Sequence, residues 1–126
     1  MSSRNIDFGK AAEEAAVYFL KTKHYRILER NYKTKLGEID IIAQQGSVIC
    51  FIEVKARHTL NQGSPQEAVS IGKQRQICRA AVYYLKSRRL LEQAARFDVV
   101  ALLYETSLPK ISLIPNAFEL SSNITI

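Results

Sequence analysis

The sequence has few of the residues that most metal sites and disulfides need: two cysteines and two histidines in 126 residues. Cys50 and Cys78 each sit within an apolar pattern and lack the close C-x-x-C spacing of a thiolate zinc site. Both are expected as reduced core residues. His24 and His58 stand too far from other ligating residues to suggest a histidine metal pair. No apolar run approaches the ~20 residues needed to span a bilayer. Met1 to Lys10 is polar and mixed, without the apolar stretch of a secretory signal. A cytoplasmic chain with no membrane partner is therefore expected. There is no Gly-rich phosphate loop, no nucleophile elbow and no Ser/His/Asp set, so nothing points to nucleotide-triphosphate or serine-hydrolase chemistry. No repeat, low-complexity stretch or linker divides the chain. Its length suits a single domain over 1–126, with a core over about 8–114 and a tail over 115–126.

Acid is scarce where base is abundant. The net charge is +6, yet residues 55–89 alone carry +7. That stretch has eight cations, Lys55, Arg57, Lys73, Arg75, Arg79, Lys86, Arg88 and Arg89, against Glu67 as its one acid. A basic face so concentrated suits a polyanion, of which nucleic acid is the commonest, though it also serves solubility.

Patterning predicts an α/β fold. Phe8, Ala12, Ala15, Ala16, Phe19 and Leu20 recur at helical spacing over 8–23. Residues 25–33 read as a strand, Leu36–Gly37 as a turn or bulge, and 38–44 as an alternating strand. In that alternation Ile39, Ile41 and Ala43 face one way and Glu38, Asp40 and Ile42 the other. Gln45–Gly46–Ser47 signals a hairpin into a β-prone run over 48–56, apolar enough to be buried on both faces. Ser64-Pro65-Gln66-Glu67 reads as a helix start, with the helix running to about Ser87. A strand over 96–105 follows, then a short edge strand over 111–114 limited by Pro109 and Pro115. The order is αβββαβ plus one extra strand, a mixed central sheet flanked by helices.

Against this pattern Glu53 and Lys55 stand out. They lie two apart on a strand that otherwise reads as core, sharing a face at about 6.6 Å backbone separation. Burying isolated charges is costly, so such a strand should not carry them without a reason. A salt bridge at a strand end is the structural explanation, but buried pairs add little net stability. Asp40, between Ile39 and Ile41, is a second anomaly, otherwise read as an exposed edge acid. Counted outward from the hairpin, Asp40 and Glu53 fall at the same far end. Two carboxylates and an ammonium then converge. Hard oxygen ligands with open positions suit Mg²⁺ or Mn²⁺, which polarises a phosphodiester and acidifies a bound water. Lys55 would orient or deprotonate that water, or offset charge in the transition state.

On the later helix Val69, Ile77, Ala80, Ala81 and Tyr84 share an apolar face. Arg75, Arg79 and Lys86 form a stripe elsewhere, suited to successive phosphates. Lys73 falls among the apolar residues, where it either snorkels out or reaches the site. Gln76 is on that side too, a candidate polar lining. Arg57 and His58 follow the basic strand end and are candidate phosphate contacts. Asp98 is expected to pair with Arg96 or cap a turn rather than serve the site.

The pattern Asp-x₁₂-Glu-x-Lys across a hairpin resembles the PD-(D/E)-x-K, restriction-endonuclease-like superfamily. More closely, the chain resembles the YraN-like family of uncharacterised bacterial proteins, itself similar to archaeal Holliday-junction resolvases. The resemblance spans roughly residues 8–104. It rests on Gly9 with Glu13, Tyr25-Arg-Ile-Leu, Gly37-Glu-x-Asp40, Phe51-x-Glu-Val-Lys-x-Arg57, Ala68-Val with Lys73, and Arg96-Phe-Asp-Val-Val100. The proline of the superfamily's name is absent, and Ile39 precedes Asp40. The resemblance implies Asp40, Glu53 and the Val54 carbonyl as ligands of Mg²⁺ or Mn²⁺, and Lys55 as the catalytic lysine. Glu13 would be the superfamily's first-helix acid. It implies an endonuclease acting on DNA more readily than RNA, on branched or single-stranded substrates, and a homodimer presenting two sites. Two other readings of the residues stay open: a non-catalytic nucleic-acid-binding module of the same fold, and a protein-interaction domain with an acidic partner.

Overall fold

The computed structural model describes residues 3–59 and 69–119. The order is α1 (Ser3–Thr22), β1 (Arg26–Lys33), β2 (Glu38–Gln45), β3 (Val48–Arg57), α2 (Ile71–Ser87), β4 (Ala95–Leu103) and β5 (Lys110–Phe118). The strands form one mixed sheet in the spatial order β1-β2-β3-β4-β5. Only β3 and β4 pair in parallel, and the crossover this demands contains α2.

The β3 strand decides the layering. Ile49 and Phe51 join a core with Ile77, Ala80, Ala81 and Tyr84 of α2. Cys50 and Ile52 join a second core with Ala12, Ala16, Val17 and Leu20 of α1. The helices therefore cover opposite faces, and β3 is buried on both, as its continuous apolar run predicts. Neither cysteine forms a disulfide, and both are buried. The hairpin between β2 and β3 closes at Gln45↔Val48, with Gly46 at φ +58°. Tight two-residue hairpin turns require that left-handed sense.

Four boundaries differ from the pattern-based expectation. The first helix already runs from Ser3. The second is not one continuous helix from Ser64: Ser70 is extended and caps it, its hydroxyl accepting from the Lys73 N–H at 3.1 Å. The expected start at Ser64–Glu67 lies outside the described residues. The β4 strand ends at Leu103, where the Tyr104 N–H crosses to the Arg57 carbonyl. The β5 strand does not stop at Ile114; it continues through Pro115 to Phe118, so 115–118 belongs to the sheet rather than to a tail. It does so by a register shift against β4 and a left-handed Asn116 (φ 51°). Pro115 brings no N–H, and the Asn116 N–H bonds the Asp98 carboxylate at 3.0 Å. Asp98 is fully buried and held by Arg96 at 3.0 Å, and Arg96 also donates to Tyr25 and Gln45. The expected structural role of Asp98 is thus the observed one.

The β1–β2 turn is fixed by the Thr34 hydroxyl, which accepts from the Leu36 and Gly37 N–H groups. Gly37 is needed for close approach. A Cβ there would lie 2.7 Å from the Gln76 carbonyl oxygen of α2. Gly37→Ala is therefore expected to lift α2 from the sheet and destabilise the fold by about 1–3 kcal/mol. Urea unfolding checks this; an unchanged midpoint would show that α2 does not dock there.

Candidate metal-binding active site

Within the sheet, β2 parts from β3 at one end. Their last ladder pair is Ile41↔Ile52. One residue further in the same register, Asp40 stands opposite Glu53. An uninterrupted ladder would give the Val54 N–H to a β2 carbonyl. Here the Asp40 Oδ2 accepts it at 2.8 Å. The N–H and C=O of a strand residue face the same neighbour, so the Val54 carbonyl opens on that side too.

The gap also corrects the expected alternation of β2. Ile39 and Ile42 pack in the α2 core, while Ile41 and Ala43 pack in the α1 core. The two-residue rhythm slips at Asp40. At this point β2 has lost its β3 partner, and Asn31 of β1, opposite Asp40, has φ 52°. Asn tolerates that conformation better than most residues.

Glu53 continues the Ile49–Phe51 row toward α2 and is 6% exposed. Its Oε2 is buried without a hydrogen-bond partner, and the nearest cation is Lys73 Nζ at 3.8 Å. Burial, then the hydrogen bond and charge of Asp40, push the Glu53 carboxyl up to about 8, with Lys73 and Lys55 pulling the other way. Lys73 thus reaches the site, the second of its two expected roles, and does not lie on a phosphate-binding stripe.

Beside these groups lies a cleft of about 400 Å³, lined by Phe8, Gly9, Ala12 and Glu13 of α1 and by Asp40, Val54, Lys55 and Ala56. Of the expected quartet, Glu13, Asp40 and Lys55 line this cleft, while Glu53 meets Asp40 from the α2 side and is not in the lining. Glu13 is already engaged: its Oε1 accepts from Arg30 Nε at 3.2 Å and Asn31 Nδ2 at 3.0 Å. Among the described residues no three metal-ligating side chains converge; the two carboxylates that meet are Asp40 and Glu53.

The chain matches "Uncharacterised protein family UPF0102" over residues 12–102. The chain belongs to that family. UPF0102 proteins of Geobacter metallireducens and Desulforapulum autotrophicum are 46% and 43% identical to it, covering 96% and 94% of this chain and 99% and 98% of their own lengths. One from Caldicellulosiruptor saccharolyticus is 44% identical over 89% of this chain and 97% of its own. The matched span of this UPF0102 chain includes Glu13, Asp40, Glu53 and Lys55.

The other expected contacts fall outside the cleft. Arg75, Arg79 and Lys86 are exposed along α2, away from its buried face. Arg57 is half-buried at the end of β3, in a second cavity that it shares with Lys55 and Lys110. Gln76 is exposed, its backbone against Gly37, and is not among the residues lining the cleft. His58 stacks on Phe8 at 4.6 Å, and Phe8 also meets Tyr104 at 5.0 Å, forming an aromatic group beside the cleft. Sequence reasoning missed Arg30 and Asn31, which hold Glu13 from 17 and 18 positions away. Nothing local marks them; only the β1–β2 register and the left-handed Asn31 bring them there. No helix among the described residues is long and apolar enough to cross a membrane.

Proposed function

We propose that this chain is a divalent-metal-dependent nuclease that hydrolyses phosphodiester bonds, acting on DNA in preference to RNA. One observation carries the reading: the buried Glu53 Oε2 beside Asp40, without a hydrogen-bond partner and with Lys73 Nζ as far as 3.8 Å away. A buried carboxylate oxygen without a hydrogen bond is costly, and a bound metal ion would supply the close contact that Lys73 does not make. The donor set fits Mg²⁺ or Mn²⁺, which take oxygen ligands and keep waters. Asp40, Glu53 and the Val54 carbonyl would hold the ion. Once bound, it supplies Lewis-acid polarisation of the phosphate and an acidified water.

The chain's own residues do the rest. The Val54 N–H fixes the Asp40 rotamer, so its second oxygen keeps its direction. Lys55, lining the cleft with Asp40, orients the attacking water or offsets charge on the phosphate in the transition state. Lys73 offsets part of the Glu53 charge from the α2 side. Glu13, locked by Arg30 and Asn31, gives the opposite wall a fixed acid that directs a polyanion toward Lys55. Arg75 and Arg79 offer sequence-independent phosphate contacts.

The test is a panel of branched, flapped and single-stranded DNA incubated with saturating Mn²⁺. Cleavage that EDTA abolishes is expected. No turnover of any substrate would overturn the proposal in favour of a non-catalytic binding module.

A further inference from the structure

A second groove lies away from the cleft, where the β1–β2 turn meets the outer side of α2. It holds about 480 Å³ and is lined by Tyr32, Lys33, Thr34, Lys35, Leu36 and Tyr83. Its apolar lining is exposed without an evident structural reason: Tyr83 is 49% and Leu36 44% accessible. Other large apolar side chains are more exposed, but Tyr83 and Leu36 line one groove together with Tyr32. Tyr32 is held in place below them. Its ring meets Tyr84 edge-on at 5.3 Å, and Arg88 lies over the Tyr84 ring at 4.3 Å. The floor of the groove is therefore rigid, while Tyr83 is presented at its rim.

The charged residues that line this slot, Lys33 and Lys35, are both cations. Lys33 and Lys35 are exposed on the turn. On α2, Arg75, Arg79, Tyr83 and Lys86 follow at spacings of four, four and three and so run along one exposed stripe. Arg79 and Lys86 thus flank Tyr83 one helical turn to either side. Among the described residues none of these five cations forms an ion pair with a carboxylate within 4 Å. The nearest acid in the strand register is Glu38, opposite Lys33, and it is exposed at the edge. Two lysines in the lining, with Arg79 and Lys86 one turn to either side of Tyr83, form a surface for a ligand with a flat apolar part and repeated negative charge. An acidic peptide supplies the charge without the flat rings. A duplex supplies charge but keeps its bases stacked inside. An unpaired strand supplies both.

We infer that the Tyr83 groove binds an unpaired nucleic-acid strand, one base stacking on Tyr83 against Leu36 while Lys33, Lys35 and Arg79 contact the adjoining phosphates. Tyr83 is ten residues along α2 from Lys73, about 15 Å at 1.5 Å per residue. The groove therefore lies on the same helix that reaches Glu53 through Lys73. The inference deepens the nuclease reading by naming the substrate as a strand with unpaired bases, but its binding arm does not depend on cleavage.

The experiment measures affinity by fluorescence anisotropy in EDTA, so that no cutting can occur. The probes are a labelled oligothymidylate and a blunt duplex of equal length, against wild type, Tyr83→Ala, Tyr83→Phe and the double variant Lys33→Ala/Lys35→Ala. Tyr83→Ala is expected to weaken single-strand binding by about five- to hundredfold and duplex binding by less than about twofold, with Tyr83→Phe close to wild type. The lysine variant should weaken single-strand binding and flatten its salt dependence. Because Tyr83 is half-exposed, the melting temperature of Tyr83→Ala should match wild type, and circular dichroism checks that it folds. Unchanged single-strand affinity in Tyr83→Ala, or equal losses on both probes, overturns the inference. The nuclease reading fails separately: wild type that binds the strand through Tyr83 yet cuts nothing with Mn²⁺ sinks catalysis and leaves the groove standing. Cleavage by a protein whose Tyr83→Ala variant binds normally does the reverse.

Discussion

Lys55→Ala is expected to lower Mn²⁺-supported cleavage by about 100- to 1000-fold, the usual loss when one preorganised donor is removed from a transition state. Affinity for DNA in EDTA should change little, because the basic stripe of α2 and the Tyr83 groove lie elsewhere. Lys55 lines the same cleft as Asp40 and Glu13, and it also acts on the Glu53 carboxyl. Lys73 is the competing candidate, since its Nζ lies 3.8 Å from Glu53 Oε2. It approaches from the α2 side and, like Glu53 itself, is not among the residues lining the cleft, whereas Lys55 is. Lys73→Ala should therefore cost less than about tenfold, as a residue that positions Glu53 rather than touching substrate. Single-turnover rates at saturating Mn²⁺ measure both. Equal rates for wild type and Lys55→Ala would remove Lys55 from the chemistry, and a larger loss in Lys73→Ala would transfer the role to α2.

Glu53→Gln is expected to stabilise the metal-free protein near neutral pH while abolishing cleavage. The Glu53 carboxyl is raised from 4.5 to about 8, first by burial and then by Asp40. Between those values the unfolded chain has lost the proton and the folded chain keeps it. The folded state binds more protons, so stability falls as pH rises through this window and levels off above about pH 8. For one proton the slope reaches about 1.4 kcal/mol per pH unit. This is the opposite of an ion-paired carboxylate, whose contribution grows with pH. Glu53→Gln removes the ionisation and, with it, the decline. The variant should be more stable than wild type at pH 7–8 by a few kcal/mol at most, and closer to it at pH 5. A divalent ion reverses the trend for wild type alone. It favours the ionised carboxylate, so the thermal shift on adding Mn²⁺ should grow from pH 6 to pH 8, reaching about 2.7 kcal/mol at a hundredfold excess over its dissociation constant. Parallel pH profiles of wild type and Glu53→Gln without metal would contradict the account of the Glu53 environment.

Much of this was legible in the sequence, for identifiable reasons. A strand buried on both faces must be apolar throughout, so Glu53 and Lys55 were conspicuous within the Val48–Arg57 run. The Gly46 hairpin made the register countable, and the count put Asp40 and Glu53 at the same far end, where the β2–β3 ladder stops one pair short of them at Ile41↔Ile52. The capacity of Lys73 to reach the site followed from helical angle alone. What escaped notice depends on contacts distant in sequence or on unusual backbone. The slip at Asp40 and the hold of Arg30 and Asn31 on Glu13 both sit at a left-handed Asn31. The extension of β5 through Pro115 depends on Asp98 supplying the acceptor for Asn116. A proline read locally ends a strand, and the buried carboxylate that rescues it is 18 residues away. The Ser70 cap was hidden behind the stronger signal at Ser64–Glu67, because two capping patterns six residues apart cannot be ranked without tertiary contacts.

The central claim is that Asp40 and Glu53 form a divalent-metal site at the end of the β2–β3 ladder. An anomalous difference map from crystals equilibrated with saturating Mn²⁺ tests it most directly. The account predicts a peak within bonding distance of an Asp40 and a Glu53 carboxylate oxygen, about 2.0–2.3 Å away, and its loss in Asp40→Asn. No peak there, or Mn²⁺ bound only at other carboxylates, would contradict it.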